Sequence, residues 1–208
     1  MRLAVIGTFY RRPAIVPAIA EHIRAQTRKP DELWLLWEER ADAEALYAAD
    51  WGMEVQVLPI GFAIPRDADG RPRVVPPSAA INVALDLTTA DCIAYLTDDS
   101  FPAPTKYERM VEALADHGAV YCSQRYGYDG AWTGVRTADR EQGSPFCVVD
   151  HTQVAHRRSD DRWPTDLKWM PNSDGEFFRR LVDRFGPLHP IYDILDLTMQ
   201  MPDGISRR

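Results

Sequence analysis

Asp98 and Asp99 stand side by side where an apolar run, Ile93-Ala94-Tyr95-Leu96, comes to an end. Adjacent carboxylates repel each other, so the pair suits a solvated turn or a bound cation. Asp favours turns, and Pro102 and Pro104 follow closely. The second chemistry is metal binding. Two carboxylates at one strand end are hard oxygen ligands for Mg2+ or Mn2+, the ions that bridge diphosphates. Two more acidic positions lie elsewhere. Glu38-Glu39 closes another apolar run, and Asp174 opens a helical pattern at Ser173-Asp174-Gly175-Glu176. Ser173 and Glu176 have the spacing of a capping box, and a first-turn Asp complements the helix dipole.

These groups meet only if the elements carrying them converge. Leu3 to Ile6 reads as a buried strand, and residues 14–27 as a helix with Ile15, Ile19 and Ile23 on one face. Pro17 fits that helix only in its first turn. Leu33 to Trp37 is a second strand, Ala41 to Ala49 a short helix and Val55 to Leu58 a third strand. Ser78 suits the cap of a helix bearing Ile81, Ala84 and Leu85; Cys92 to Leu96 is the fourth strand. Thr105 and Glu108 have capping-box spacing ahead of Met110, Val111 and Leu114. Strands alternating with helices predict an α/β fold with a largely parallel sheet. Ligands then gather at the carboxyl ends of the strands, where Thr8-Phe9-Tyr10-Arg11, Glu38-Glu39 and Asp98-Asp99 all fall.

The pattern changes after about residue 118. Ala119 to Cys122, Phe146 to Val149 and Gln153 to His156 are short strand candidates. Glu176 to Phe185 is the last clear helix, closed by Gly186-Pro187. Residues 61–77, 125–145 and 158–172 read as long loops, the kind that often serve function.

The totals narrow the classes. The chain has 208 residues, with 24 basic against 31 acidic side chains and a net charge of −7. Broad nucleic-acid binding is excluded by that balance. Cys92, Cys122 and Cys147 show no zinc spacing and lie in apolar runs, which predicts buried free thiols. The first apolar run breaks at Tyr10-Arg11-Arg12-Pro13, too short for a signal peptide, and no stretch approaches a membrane span. A cytoplasmic protein is expected.

Several stretches, in order, resemble the glycosyltransferases of family 2, which have the GT-A fold. They are Thr8-Phe9-Tyr10-Arg11-Arg12-Pro13, then Ala25-Gln26-Thr27-Arg28-Lys29-Pro30-Asp31-Glu32, then Ile81-Asn82-Val83-Ala84-Leu85. Tyr95-Leu96-Thr97-Asp98-Asp99-Ser100 and Pro104-Thr105-Lys106 follow, with a late match at Asn172-Ser173-Asp174-Gly175-Glu176-Phe177-Phe178-Arg179-Arg180-Leu181. The resemblance implies a single GT-A domain with a mixed, mostly parallel central sheet flanked by helices. Residues 1–104 would form the nucleotide-sugar half, and 105–208 the acceptor half with a C-terminal tail.

By that resemblance the substrates are a nucleoside-diphosphate sugar and an acceptor hydroxyl, with Mn2+ or Mg2+ as cofactor. Asp99 is the expected metal ligand and Asp98 its ribose-facing neighbour. Thr8, Tyr10, Arg11, Glu38 and Asn82 go to the nucleotide-sugar site, and Asp174 becomes the general base of an inverting transfer. The family's usual acidic pair is Trp37-Glu38-Glu39 here, and Ile81 replaces an Arg before Asn82; Arg66, Arg71 or Arg73 could serve instead. His156, followed by basic residues, is a candidate further metal ligand, with His151 and His189 as rivals; an ordinary polar contact is the plainer reading of each. Tyr126, Tyr128, Trp132, Trp163 and Trp169 crowd the late loops and suit either sugar stacking or core packing, while Gly127, Gly130 and Gly134 suit a closing loop. A sugar nucleotidyltransferase is a second reading, though residues 8–12 lack a Gly-rich loop. A non-catalytic sugar- or partner-binding module is a third.

Overall fold

The structure, a computed structural model, describes residues 1–60, 68, 76–128, 130–138, 149–166, 168 and 172–200. Its first half follows the alternation of the sequence. β1 (Leu3–Phe9) leads through a 3-10 turn at Pro13–Ile15 into α1 (Val16–Arg24), with Pro17 in the first turn. β2 (Glu32–Trp37), α2 (Arg40–Ala48), β3 (Gln56–Pro59), α3 (Pro76–Leu87) and β4 (Cys92–Thr97) follow. β3, β2, β1 and β4 lie side by side and run parallel. The central β1 and β4 are buried on both faces, as interior parallel strands must be, while the edge strand β3 is half-exposed. Leu3, Val5 and Phe9 of β1 pack with α1 and α2, while Ala4 and Ile6 point the other way. Helix α3 covers that second face together with α5 (Ser173–Phe185), through Ile81, Leu85, Phe177, Phe178 and Leu181.

The second half enters the same sheet through β8 (Val154–Arg157), antiparallel to β4. Beyond it lie β6 (Ala119–Tyr128) and β9 (His189–Gln200), which are parallel to each other. β5 (Ser100–Pro102) pairs with β9, and β7 (Ala131–Arg136) pairs with β6. The sheet is therefore mixed, with helices on both faces. Among the described residues no helix is long and apolar enough to cross a membrane.

Several local expectations change. β6, up to Tyr128, and β7, from Ala131, pair as a hairpin within what reads as a loop. Gly130 makes its turn at φ +82, and Gly134 leaves room for the Tyr126 ring, whose hydroxyl would stand 2.7 Å from an added Cβ. β9 is absent from the sequence reading because Asp193 and Asp196 interrupt its apolar pattern. Ser78 lies inside α3 and does not cap it; Pro76 and Pro77 begin that helix, and the buried Ser78 hydroxyl finds no partner among the described residues. Neither expected capping box forms. Thr105 makes no side-chain cap, and Glu108 instead accepts the Thr27 hydroxyl at 2.8 Å. Asn172 precedes α5 without a side-chain cap, and Glu176 pairs with Arg179 and Arg180. Cys92 and Cys122 are buried free thiols. Cys147, Trp169, Arg66, Arg71 and Arg73 lie outside the described residues, as does most of the Phe146–Val149 candidate.

One buried ion pair ties the second half together. Lys106, the first residue of α4 (Lys106–Leu114), reaches Asp196 of β9 at 2.5 Å, and both side chains are wholly buried. The other Asp196 oxygen accepts Gln124 Nε2 and the Thr152 hydroxyl, each at 2.8 Å. Burial opposes the charge on Asp196, but Lys106 and these donors outweigh it and hold its pKa below the usual carboxylate value. Lys106→Met leaves that carboxylate buried without its cation, which costs about 3–5 kcal/mol. Urea unfolding of the variant should show a loss of that order; a loss below about 1 kcal/mol, the scale of a surface pair, would contradict this account.

Candidate active site

The loop after β1 is shaped by a helix that follows β2. Asp42, buried in the first turn of α2, accepts the backbone N–H of Arg11 at 2.8 Å and of Arg12 at 3.0 Å. Arg11 thereby sits at φ +58, a left-handed conformation that costs a non-glycine residue about 1–2 kcal/mol. Its side chain turns outward over the Tyr10 ring and pairs with Glu39. Glu38 follows β2, whose last residue pairs with Phe9 of β1, so the Glu38 segment borders this loop.

Asp98 fastens the loop to the end of β4. Its N–H donates to the Thr8 carbonyl, and its Oδ2 accepts the Tyr10 N–H at 2.9 Å. Arg12 Nη1 stands 3.1 Å from Asp98 Oδ1 and 3.5 Å from Asp99 Oδ2. Burial pushes Asp98 up to about 7 despite the help of Arg12 and the Tyr10 N–H. Burial also raises Asp99, against a 2.6 Å hydrogen bond from the Thr97 hydroxyl. The negative field of Asp150 adds to that rise, so Asp99 feels the far wall of the site.

That wall is a short 3-10 turn, His151–Gln153, preceded by Asp150. A capping box fixes it: Asp150 Oδ1 accepts the Thr152 N–H at 3.0 Å, and Gln153 Oε1 accepts the Asp150 N–H at 2.9 Å. The turn is bound from below by Thr152 to Asp196. It presents His151, whose Nδ1 lies 3.8 Å from Asp174 Oδ2 in the first turn of α5. Burial pulls His151 down, but Asp174 first, then Asp150 and Asp99, outweigh it and lift the imidazole to about 9. Burial likewise opposes the Asp174 charge, and His151 overrides it, so Asp174 stays below the ordinary carboxylate value.

Thr8, Tyr10, Asp98 and Asp99 thus meet at the carboxyl ends of β1 and β4 with the Arg11 side chain turned outward, and the His151–Asp174 pair reaches Asp99 through its electrostatic field. Three candidates do not join this site. Asn82 spends its amide on Trp163, donating to the carbonyl at 2.9 Å and accepting the N–H at 2.8 Å. His156 is corrected from a metal ligand to a core residue. Its Nε2 meets the Tyr95 hydroxyl and its Nδ1 the Arg157 carbonyl, each at 2.8 Å, and burial pulls it down to about 4. His189 opens β9 beside Val120 and stacks on His117, at the end of the strand away from Asp99. Trp163 is core packing as well, stacked on Phe177 with ring centroids 4.6 Å apart. Tyr128 and Trp132 remain exposed on the hairpin. Sequence reasoning passed over Arg12, Asp42 and Asp150, and weighed His151 only as a metal ligand. The Asp-x-x-Gln cap at 150–153 was the available signal for the last two.

The Asp98–Asp99 pair fits a hard divalent cation in chemistry. Mg2+-type sites commonly use one or two carboxylates and take their other ligands from phosphate and water. Burial raises both carboxylates, which a cation would reverse. Among the described residues no set of three or more His, Cys, Asp or Glu is arranged to hold a metal by itself.

The fold and this strand-end site define a GT-A protein. The family model described as "Glycosyl transferase family 2" matches residues 71–183. The chain belongs to that family. Protein CgeD of Bacillus subtilis (strain 168) is 27% identical over 222 residues, covering 99% of this chain and 51% of CgeD. This chain therefore spans about half the length of that relative. Among solved structures, S. aureus TarS 1-349 in complex with UDP-GlcNAc superposes with a TM-score of 0.75 at 12% identity, over 100% of this chain and 61% of that one. The mannosyltransferase PcManGT from Pyrobaculum calidifontis, in complex with GDP-Man and Mn2+, gives 0.65 at 16% identity, over 96% and 56%. Glucosyl-3-phosphoglycerate synthase from Mycobacterium tuberculosis, with Mn2+, UDP and glucosyl-3-phosphoglycerate, gives 0.61 at 15% identity, over 97% and 73%.

The His151–Asp174 pair has a defined pH signature. His151 is raised from an ordinary 6.5 to about 9, so its stabilisation is complete below about 6.5 and fades as pH rises through 9. Asp174 is lowered, so its share is present above the ordinary carboxylate value and is lost on acidification. Both statements describe one interaction. NMR titration of the His151 ring should give a midpoint near 9 that falls in Asp174→Asn. A wild-type midpoint near 6.5 would mean that the pair does not form.

Proposed function

We propose that this chain transfers a sugar from a nucleoside-diphosphate sugar to an acceptor hydroxyl, with inversion and with the help of Mn2+ or Mg2+. The observation that carries the reading is that Asp99, beside the β1 loop, lies within the electrostatic reach of His151, which pairs with Asp174 at the start of α5. It sets an acidic cation site and an ionised carboxylate on two sides of one mouth. A family 2 chain with that arrangement has the parts a single displacement needs.

Asp98 and the Thr8–Arg12 loop form the nucleotide side, with Glu38 at its border. Asp98 and Asp99 would hold the divalent cation, which supplies charge neutralisation for the departing diphosphate. Asp174 takes the acceptor proton as the acceptor oxygen attacks the anomeric carbon from the face opposite the leaving group. His151 keeps Asp174 ionised near neutral pH, ready to act as base, and fixes its direction. The same contact lowers its basicity, so the proton must leave late, as the new C–O bond forms. The hairpin aromatics Tyr128 and Trp132 lie on the acceptor side.

Thermal unfolding in the presence of UDP-, GDP- and dTDP-sugars tests the donor side. One of them should raise the melting temperature, and more so with Mn2+. No metal-dependent response to any would count against the reading. Asp174→Asn should retain that donor response while transfer falls by about 100-fold or more, the scale of a general base. Transfer at the wild-type rate would remove Asp174 from the base role.

A further inference from the structure

The donor site already contains a cation of its own. Arg12 places one nitrogen, Nη1, between the two carboxylates that the proposed function gives to a divalent ion. Its side chain is 12% exposed. A guanidinium and a divalent ion cannot share that space. With both carboxylates ionised, the form a cation binds, the trio of Arg12, Asp98 and Asp99 carries a net charge of −1, which attracts a dication, and the dication in turn repels the guanidinium. Arg12 therefore has to move when the ion arrives.

We propose that Arg12 is a two-position residue of the donor site: it neutralises Asp98 and Asp99 in the observed position and passes to the donor diphosphate when the divalent cation takes its place. The inference rests on the donor-site reading above. Three observations carry it. The backbone at Arg11 and Arg12 is pinned by the buried Asp42 carboxylate, so only the Arg12 side chain is released to swing. The guanidinium makes one hydrogen bond here, from Nη1 to Asp98, and a longer 3.5 Å approach to Asp99, a poorer use of a planar fork than the paired contacts a diphosphate offers. Arg11 is no competitor, since Glu39 and the Tyr10 ring hold it outside. The residue thus couples the two ligands. Nucleotide draws the guanidinium away from the carboxylates, and the cation pushes it toward the nucleotide.

Arg12→Met tests this through binding alone. Calorimetric titration of the whole chain would use Mn2+ alone, then UDP and GDP each in the presence of a chelator, then both ligands together. Removing the resident charge should tighten Mn2+ binding without nucleotide by about tenfold or more. It should also weaken metal-free binding of whichever nucleoside diphosphate the wild type prefers, again by about tenfold. Arg12→Lys, which keeps the point charge, should bind Mn2+ like the wild type. Unchanged Mn2+ affinity in a cooperatively folded Arg12→Met overturns the proposal. Unchanged metal-free nucleotide affinity also overturns it, making Arg12 a fixed counter-ion. Wild-type protein that binds neither Mn2+ nor either nucleotide would instead remove the donor-site reading itself.

Discussion

A wholly buried ion pair holds the second half of the chain in register. Lys106 and Asp196 are far apart in sequence and lie on α4 and β9, and their pairing fixes how the helix seats against that strand. Burying either charge alone is prohibitive, so each forces the other inward. The second Asp196 oxygen accepts from Gln124 and Thr152, which brings β6 and the turn at 151–153 into the same arrangement. The wall of the site that carries His151 is therefore set from the protein interior. An apolar core of equal volume would hold the strands together but would not specify which residue of the turn faces Asp174.

The first half of the chain was legible because its physics is local. Buried parallel strands read as unbroken apolar runs, and amphipathic helices separate them. The carboxylates at the end of β4 stood out because charge follows apolar residues without transition. The second half was less legible for a matching reason. β9 carries Asp193 and Asp196 within its length, and a single sequence cannot announce that one of those charges is answered by a lysine from α4. The β6–β7 hairpin was hidden by its own glycines, which suggest a loose loop but serve a turn and a close approach of the Tyr126 ring.

The histidines show how narrow such judgements are. His151 and His156 lie five positions apart on the chain. One sits on a capped 3-10 turn and points into the mouth. The other sits on β8 and points into an aromatic cluster, where Tyr95 and a backbone carbonyl engage both ring nitrogens. His156 is fully buried and His151 partly so; His151 is driven toward the charged form and His156 away from it. The difference is the company of carboxylates, which becomes visible only when Asp174, Asp150 and Asp99 are folded beside His151. Asn82 and Trp163 make the same point: an amide on a helix and an aromatic in a loop looked like ligand contacts, and each satisfies the other.

Asp42 has a broader consequence. It holds the loop after β1 through backbone N–H groups, so the path of that loop depends little on which side chains the loop displays. Shape and recognition are thereby uncoupled. A lineage can exchange the side chains at positions 10 and 12 without rebuilding the scaffold beneath.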